Sequence, residues 1–268
     1  MSALAGGTDA AAFGFALWDA IAPILRTLVF AYARIAPMCL MLPLLSPRML
    51  AGAMMRQTLI VLIALSLWPS IDASARAAYA AATSWFWIAC SEAAIGLALG
   101  TMLSMPFWIC MGVGEWIDNQ RGATISDVMD PAHGVEVSTM SAWMSVFASA
   151  AFVCNDGMRV VIEALRLSYV ELDSSGLARI DWAAYGRLLD VVSREAMRLS
   201  APVVVALFAS EVLLGVLSGF ATQMGVFSLA FSIKSFVAFT VFYLYFGTAW
   251  MPLLNDWGRF AHIPMIAP

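Results

Sequence analysis

Apolar residues gather in about six long stretches, near residues 13–45, 49–69, 84–111, 137–154, 201–221 and 226–254, each long enough to span or nearly span a bilayer as a helix. The first is over-long and holds Pro23, Pro37, Pro43 and Pro47, so it is expected to kink or to split into two helices, with Ser46-Pro47 starting a turn. Between the fourth and fifth stretches, residues 155–200 change character. Trp182, Tyr185, Leu188, Leu189, Val192, Ala196 and Leu199 recur at helical spacing behind a possible Asp181 cap, while Arg187, Asp190, Arg194 and Arg198 occupy other faces. That pattern predicts an amphipathic helix covering its own protein.

Composition agrees with the pattern. Charged residues make up 12% and hydrophobic residues 62%, against about 25% charged in an average soluble chain. The fold class expected is all-α, a polytopic integral membrane protein of helical hairpins. A net charge of −4 gives no basic footprint for nucleic acid. The first basic residue is Arg26, so the N-terminus lacks the charged region of a cleavable signal and the first apolar stretch is expected to be retained. Arg48 and Arg56 favour a cytoplasmic first loop, yet simple alternation over six spans would then put the Arg-bearing 155–200 stretch outside. Either the span count differs or some stretches do not cross. Cys39, Cys90, Cys110 and Cys154 sit in apolar runs without CxxC pairing and read as packing residues; His133 and His262 have no ligand at metal spacing, and no cofactor is expected.

One polar block interrupts this apolar chain. Gly114-Glu115-Trp116-Ile117-Asp118-Asn119-Gln120-Arg121-Gly122 runs on through Asp127 to Asp130 and Pro131. Its charges and amides need water or protein as hydrogen-bond partners, so it should line a cavity, a pore or an aqueous face. The glycines Gly112, Gly114 and Gly122 suggest a hinged loop, over about residues 112–131, that suits a gate. Asp118, Asp127 and Asp130 could instead form a proton relay, or simply cap a solvated loop. No HExxH, G-x-S-x-G, Walker A or Rossmann pattern supports an enzyme.

Ser91-Glu92-Ala93-Ala94-Ile95-Gly96-Leu97-Ala98-Leu99-Gly100 is echoed by Ser210-Glu211-Val212-Leu213-Leu214-Gly215-Val216-Leu217-Ser218-Gly219. In each, the Glu and both glycines (Glu92, Gly96, Gly100; Glu211, Gly215, Gly219) fall on one helical stripe suited to close packing. Lys234 is the chain's only lysine, and with Glu211 the only charge between residues 201 and 255. An antiparallel hairpin turning at Thr222 and Gln223 would bring the two to similar depth as a buried pair that sets its register. The rival reading has each charge facing another subunit.

The run Gly114-x-x-Ile117-Asp118-x-Gln120-Arg121-Gly122, continuing to Asp130-Pro131, resembles the signature of the T subunit of the type III secretion export apparatus, a family related to the flagellar protein FliR. Pro202, Gly215, Gln223, Phe227 and Lys234 resemble that family's C-terminal hairpin and the separate small S subunit. The resemblance spans essentially the whole length, and the Asp-Asn-Gln-Arg-Gly wording is closer to the virulence branch. The family often has Arg where Gly219 stands and Pro-Gln where Thr222-Gln223 stands.

The resemblance implies a structural channel subunit rather than an enzyme. One T subunit would close a helical assembly of R and S subunits, with U and V subunits as further partners and unfolded effector proteins in transit, in the bacterial inner membrane at the base of the injectisome, with a projection to the periplasmic side as a further expectation. Residues 1–200 would be R-like and residues 201–268 S-like. The family's polar loop is a plug; here that is residues 114–122, held closed by Asp118, Gln120 and Arg121. The runner-up is a secondary transporter in which the S-E-x-x-φ-G echo marks an inverted or parallel repeat around a midplane site.

Overall fold

The computed structural model describes residues 5–46, 49, 52–81, 84–122, 138–172, 182–220 and 226–250. Among them every regular element is helical: α1 (Ala5–Met41), α2 (Ala53–Ser66), α3 (Trp68–Ala81), α4 (Trp85–Arg121), α5 (Thr139–Cys154), α6 (Gly157–Glu171), α7 (Trp182–Phe220) and α8 (Val226–Ala249), with a short 3-10 turn at Pro43–Leu45. Four helices are long and apolar enough to cross a membrane (α1, α4, α7 and α8), or up to six spans form if the broken pairs α2 with α3 and α5 with α6 each count as one. An all-α polytopic membrane protein is therefore what the chain folds into.

Several boundaries differ from the hydropathy reading. α1 does not split: it runs unbroken through Pro23 and Pro37. The stretch near 49–69 is no straight span, because α2 and α3 meet at Leu67 with a bend of 82°. The fourth stretch, by contrast, ends where hydropathy put it, at Cys154, and the chain turns at Asn155 and Asp156, where Asp156 takes φ 56°. The amphipathic stretch and the fifth apolar stretch are one helix, α7, which continues through Ser200 and Pro202. Its buried stripe includes Leu188, Ala196 and Leu199, whereas Leu189 is exposed. Asp181 lies outside the described residues.

The chain forms two compact units, residues 1–101 with 161–180, and residues 102–160 with 181–268. In the first, Phe30, Ala31, Ile35, Met38 and Cys39 of α1 form the core with Ile71, Ile95, Leu165 and Tyr169. The glycine stripe of α4 lets its backbone meet that of α1: a Cβ added at Gly96 would overlap the Arg34 carbonyl, and one at Gly100 would stand 2.8 Å from the Met38 carbonyl oxygen. At this crossing Arg34 is fully buried. Its Nε donates to Glu92 Oε2 at 2.7 Å, its Nη1 to the Ser168 carbonyl at 2.7 Å and its Nη2 to the Leu172 carbonyl at 3.0 Å, while the Tyr169 ring lies 4.2 Å from Cζ. Glu92 is equally buried. One side chain thus joins α1, α4 and the C-terminal end of α6, where the Ser168 carbonyl also accepts from the Leu172 N–H at 3.0 Å.

In the second unit the later part of α4 packs with α5 and with the α7–α8 hairpin. Phe107 meets Phe152 at 5.2 Å between ring centres, and Trp143, Phe147, Phe242, Phe246 and Trp250 form a ladder at 5.0–6.5 Å. The hairpin is little covered. Phe208, Val212, Leu213, Val216, Leu217, Phe236, Tyr243 and Leu244 are exposed, and Gly215 and Gly219, unlike Gly96 and Gly100, meet nothing within 4 Å. Of the cysteines read as packing residues, Cys39 and Cys110 are buried, but Cys90 and Cys154 are exposed.

Breaking the buried pair from one side should be costly. Arg34→Met or Glu92→Gln is expected to lower stability by about 3–5 kcal/mol, with Arg34→Met/Glu92→Met recovering a large part of it, measured by thermal unfolding in mild detergent. Gly96→Ala should destabilise in the same assay and Gly215→Ala should not. Equal effects at the two glycines would contradict the asymmetry of the stripes.

Candidate functional site

Residues 114–121 are not a loop. They are the last two turns of α4, and the chain leaves the helix at Gly122, the one glycine of the block with a left-handed φ, 80°; its N–H donates to the Asn119 carbonyl at 3.2 Å. This corrects the expectation that these residues form a loop. Polar side chains do not break a helix, and Gly112 and Gly114 provide close approach rather than a hinge. A Cβ at Gly114 would stand 2.5 Å from the Ser141 backbone of α5, and one at Gly112 would stand 3.2 Å from Ala196 Cβ of α7. Asp127, Asp130 and Pro131 lie outside the described residues.

The helical frame sorts the block into two faces. Ile117 and Asp118 turn inward, and Glu115, Trp116 and Asn119 outward. Asp118 is 1% exposed and fully engaged: Oδ1 accepts from Arg121 Nε at 2.7 Å, and Oδ2 accepts from the Met140 N–H at 2.8 Å. Met140 lies in the first turn of α5, which Ser138 caps by accepting from the Ser141 N–H. A buried carboxylate here satisfies an otherwise open donor and faces the positive end of the α5 dipole. Glu115 Oε1 accepts from the Ser141 hydroxyl at 3.4 Å, a further tie between the same helices.

A second set of contacts runs to the hairpin. Gln120 Nε2 donates to Glu211 Oε2 at 3.5 Å, and Lys234 Nζ stands 3.1 Å from Glu211 Oε1. Glu211 and Lys234 therefore meet across α7 and α8, but the Glu211 side chain is 53% exposed in the single chain against 14% for Lys234. The structure does not bury this pair. Thr222 and Gln223 lie outside the described residues. Arg121 carries the remaining tie, its Cζ 5.4 Å from the centre of the Phe239 ring of α8. Beside it opens an apolar cavity of about 510 Å³, lined by Arg121, Thr139, Met140 and Trp143 and by Phe239, Phe242, Tyr243 and Phe246 of α8.

Chemically, the contacts of Asp118, Glu115 and Gln120 hold and orient helix ends. Among the described residues no group of three His, Cys, Asp or Glu is placed to hold a metal ion. The partner of Glu92, Arg34, escaped the sequence reading. Its signal was present: Arg34 is the only charge between Arg26 and Arg48, and Glu92 the only one between Arg76 and Glu115.

Residues 25–259 match the family described as Bacterial export proteins, family 1. The chain is 35% identical over 242 residues to the surface presentation of antigens protein SpaR of Salmonella typhimurium, covering 90% of this chain and 89% of that protein. It is 27% identical over 232 residues to the Yop proteins translocation protein T of Yersinia pestis, covering 85% and 88%. To the flagellar biosynthetic protein FliR of Pectobacterium carotovorum it is 26% identical over 175 residues, covering 65% and 66%.

The exposures separate two ion pairs that look alike in sequence. In the detergent-solubilised single chain, a double-mutant cycle of Glu211→Gln and Lys234→Met should give a coupling of only about 0.2–1 kcal/mol. Asp118→Ala, which leaves Arg121 and the Met140 N–H without their acceptor, should cost about 3–5 kcal/mol.

Proposed function

As this chain belongs to the bacterial export proteins, family 1, the family of the type III secretion T subunit, we propose that it is the subunit that closes the R and S assembly of an export gate. Its family makes it a secretion export subunit with membrane-crossing helices. The finer reading is a single copy per assembly, with residues 1–200 R-like and residues 201–268 an S-like hairpin continuous with them through α7. U and V subunits are its further neighbours, and unfolded effector proteins pass through the conduit it helps to form, in the inner membrane at the base of an injectisome. The chain has no catalytic role in this reading and needs no cofactor.

The observation that carries the reading is the match of residues 25–259 to the family, because it takes in the polar block and the hairpin together. The block then acts at the gate. Its root, residues 114–121, is a helix end tied to α5 by Asp118 and to the hairpin by Gln120. A gate rooted on a helix is positioned more closely than one on a free loop. The uncovered apolar faces of α7 and α8 suit a chain surrounded by other hydrophobic subunits.

Native mass spectrometry of the tagged chain, purified from its host in mild detergent, tests the assembly reading. One copy within a complex of small hydrophobic subunits is expected; a lone chain or a symmetric homo-oligomer would refute it. For the gate, the assembled complex with Asp118→Asn should pass more ions across a planar bilayer than the native complex, and unchanged conductance would count against a gate at this helix end.

A further inference from the structure

The α7–α8 hairpin is held unequally along its length. At its base the packing is close: Val203 and Leu207 of α7 and Trp250 just past α8 are removed from solvent. Phe147 meets Phe246 there at 5.0 Å, and a Cβ at Gly112 would stand 3.2 Å from Ala196 Cβ. Further out the hold weakens. The 510 Å³ cavity separates Arg121, Thr139 and Met140 from Phe239 and Tyr243 of α8, and side chains that face a void lose the dispersion contacts that would otherwise fix them. What bridges the gap is polar. Gln120 Nε2 donates to Glu211 Oε2 at 3.5 Å, with Lys234 on the other Glu211 oxygen at 3.1 Å. Glu211 is half exposed, so these ties are weak. The ties of Asp118 to Arg121 and to α5, at 2.7 and 2.8 Å and out of solvent, are strong by comparison.

Both helices of the hairpin carry a weak point where the tight part gives way to the loose one. Pro202 has no N–H to donate to the Arg198 carbonyl, and a helix bends most easily at such a break. Gly247 of α8 has nothing within 4 Å of the place its Cβ would take, so no close approach accounts for a residue that loosens a helix. The register set by Glu211 and Lys234 brings Pro202 and Gly247 within about one helical turn of each other. Segments that move are drawn from the weakly held parts of a fold, and here the weak part, its pivot and its tie lie on one hairpin.

We propose that the α7–α8 hairpin is a hinged arm. It turns about Pro202 and Gly247 on the aromatic base, and Gln120 latches it to the end of α4 through Glu211. Latched, the arm lies against the polar block. Released, it draws away from the α4 end on the side of the cavity and carries Glu211 and Lys234 with it. The inference rests on the reading of this helix end as part of a gate and names what moves there.

The test uses the full chain in its host and reads three quantities: export of a reporter effector protein, yield of the purified complex, and its resting ion conductance in a planar bilayer. Gly247→Ala has room for its methyl group and stiffens α8. Export should fall about fivefold, the ratio that one glycine-to-alanine change in a helix represents, with yield and resting conductance unchanged. Gly186→Ala, the same change in α7 on the N-terminal side of Pro202 and equally uncrowded, should leave all three as they were. Glu211→Gln weakens the latch and should act in the opposite sense, raising resting conductance by about twofold to fivefold, the share of one exposed ion pair. Should Gly247→Ala not accumulate, Pro202→Ala returns an N–H to the Arg198 carbonyl and should lower export in the same way. Unchanged export in the stiffened variants, an equal loss in Gly186→Ala, or no rise in conductance with Glu211→Gln would overturn the arm. If Asp118→Asn also leaves conductance unchanged, the gate reading itself fails.

Discussion

Arg34 and Glu92 are both removed from solvent and stand 2.7 Å apart, and the first unit is organised around keeping them so. An isolated charge among apolar helices is prohibitively costly, and an ion pair is tolerable there only with good geometry and with its other donors matched. Here the matching fixes three helices. Gly96 must be glycine for α4 to come close enough to α1, α6 must end where its Ser168 and Leu172 carbonyls face Nη1 and Nη2, and Tyr169 must lie under the guanidinium. Apolar packing alone would let these helices slide. The charge pair sets their register.

The same constraint, met more loosely, shapes the second unit. Asp118 is as dry as Glu92, and it too has an arginine on one oxygen. Its other oxygen takes a helix N–H, so the carboxylate joins the end of α4 to the start of α5 as Arg34 joins α1 to the end of α6. Arginine finds a helix C-terminus and aspartate a helix N-terminus, each matching the sign of the dipole. The polar block is therefore structural before it is anything else. Any function at a gate is performed by residues whose first duty is to hold α4 and α5 together.

Much of this was legible in sequence, and what was not has physical causes. The long apolar stretches gave the helices, and the lone opposite charges of residues 201–255 put Glu211 opposite Lys234, which the structure sets 3.1 Å apart. The identical argument applied to Arg34 and Glu92 and was left unused, because long sequence separation hid that α1 and α4 cross. Burial was misjudged for Glu211, since hydropathy reports how apolar a segment is and not whether protein or some other phase covers it. The bend at Leu67 did carry a mark, Pro69 in the first turn of α3, a position where proline starts a new helix, but the apolar run on both sides outweighed it. The block at residues 114–121 was read as a loop because polarity in an apolar chain resembles a connection, whereas only the backbone at Gly122 ends the helix.

The two S-E-x-x-φ-G segments sharpen that last point. In α4 the stripe is filled: Gly96 and Gly100 take the α1 backbone and Glu92 takes Arg34. In α7 the same pattern is open: Gly215 and Gly219 touch nothing and Glu211 is half exposed. A helical glycine costs about 1 kcal/mol relative to alanine unless close packing offsets it. Within this chain the offset exists for the first segment and is absent for the second. The first unit is thus stabilised by contacts the chain makes with itself. The hairpin of the second, with its aromatic and aliphatic side chains uncovered, draws its stability from whatever surrounds it, so the free energy of folding measured on the isolated chain will understate that of the chain in place.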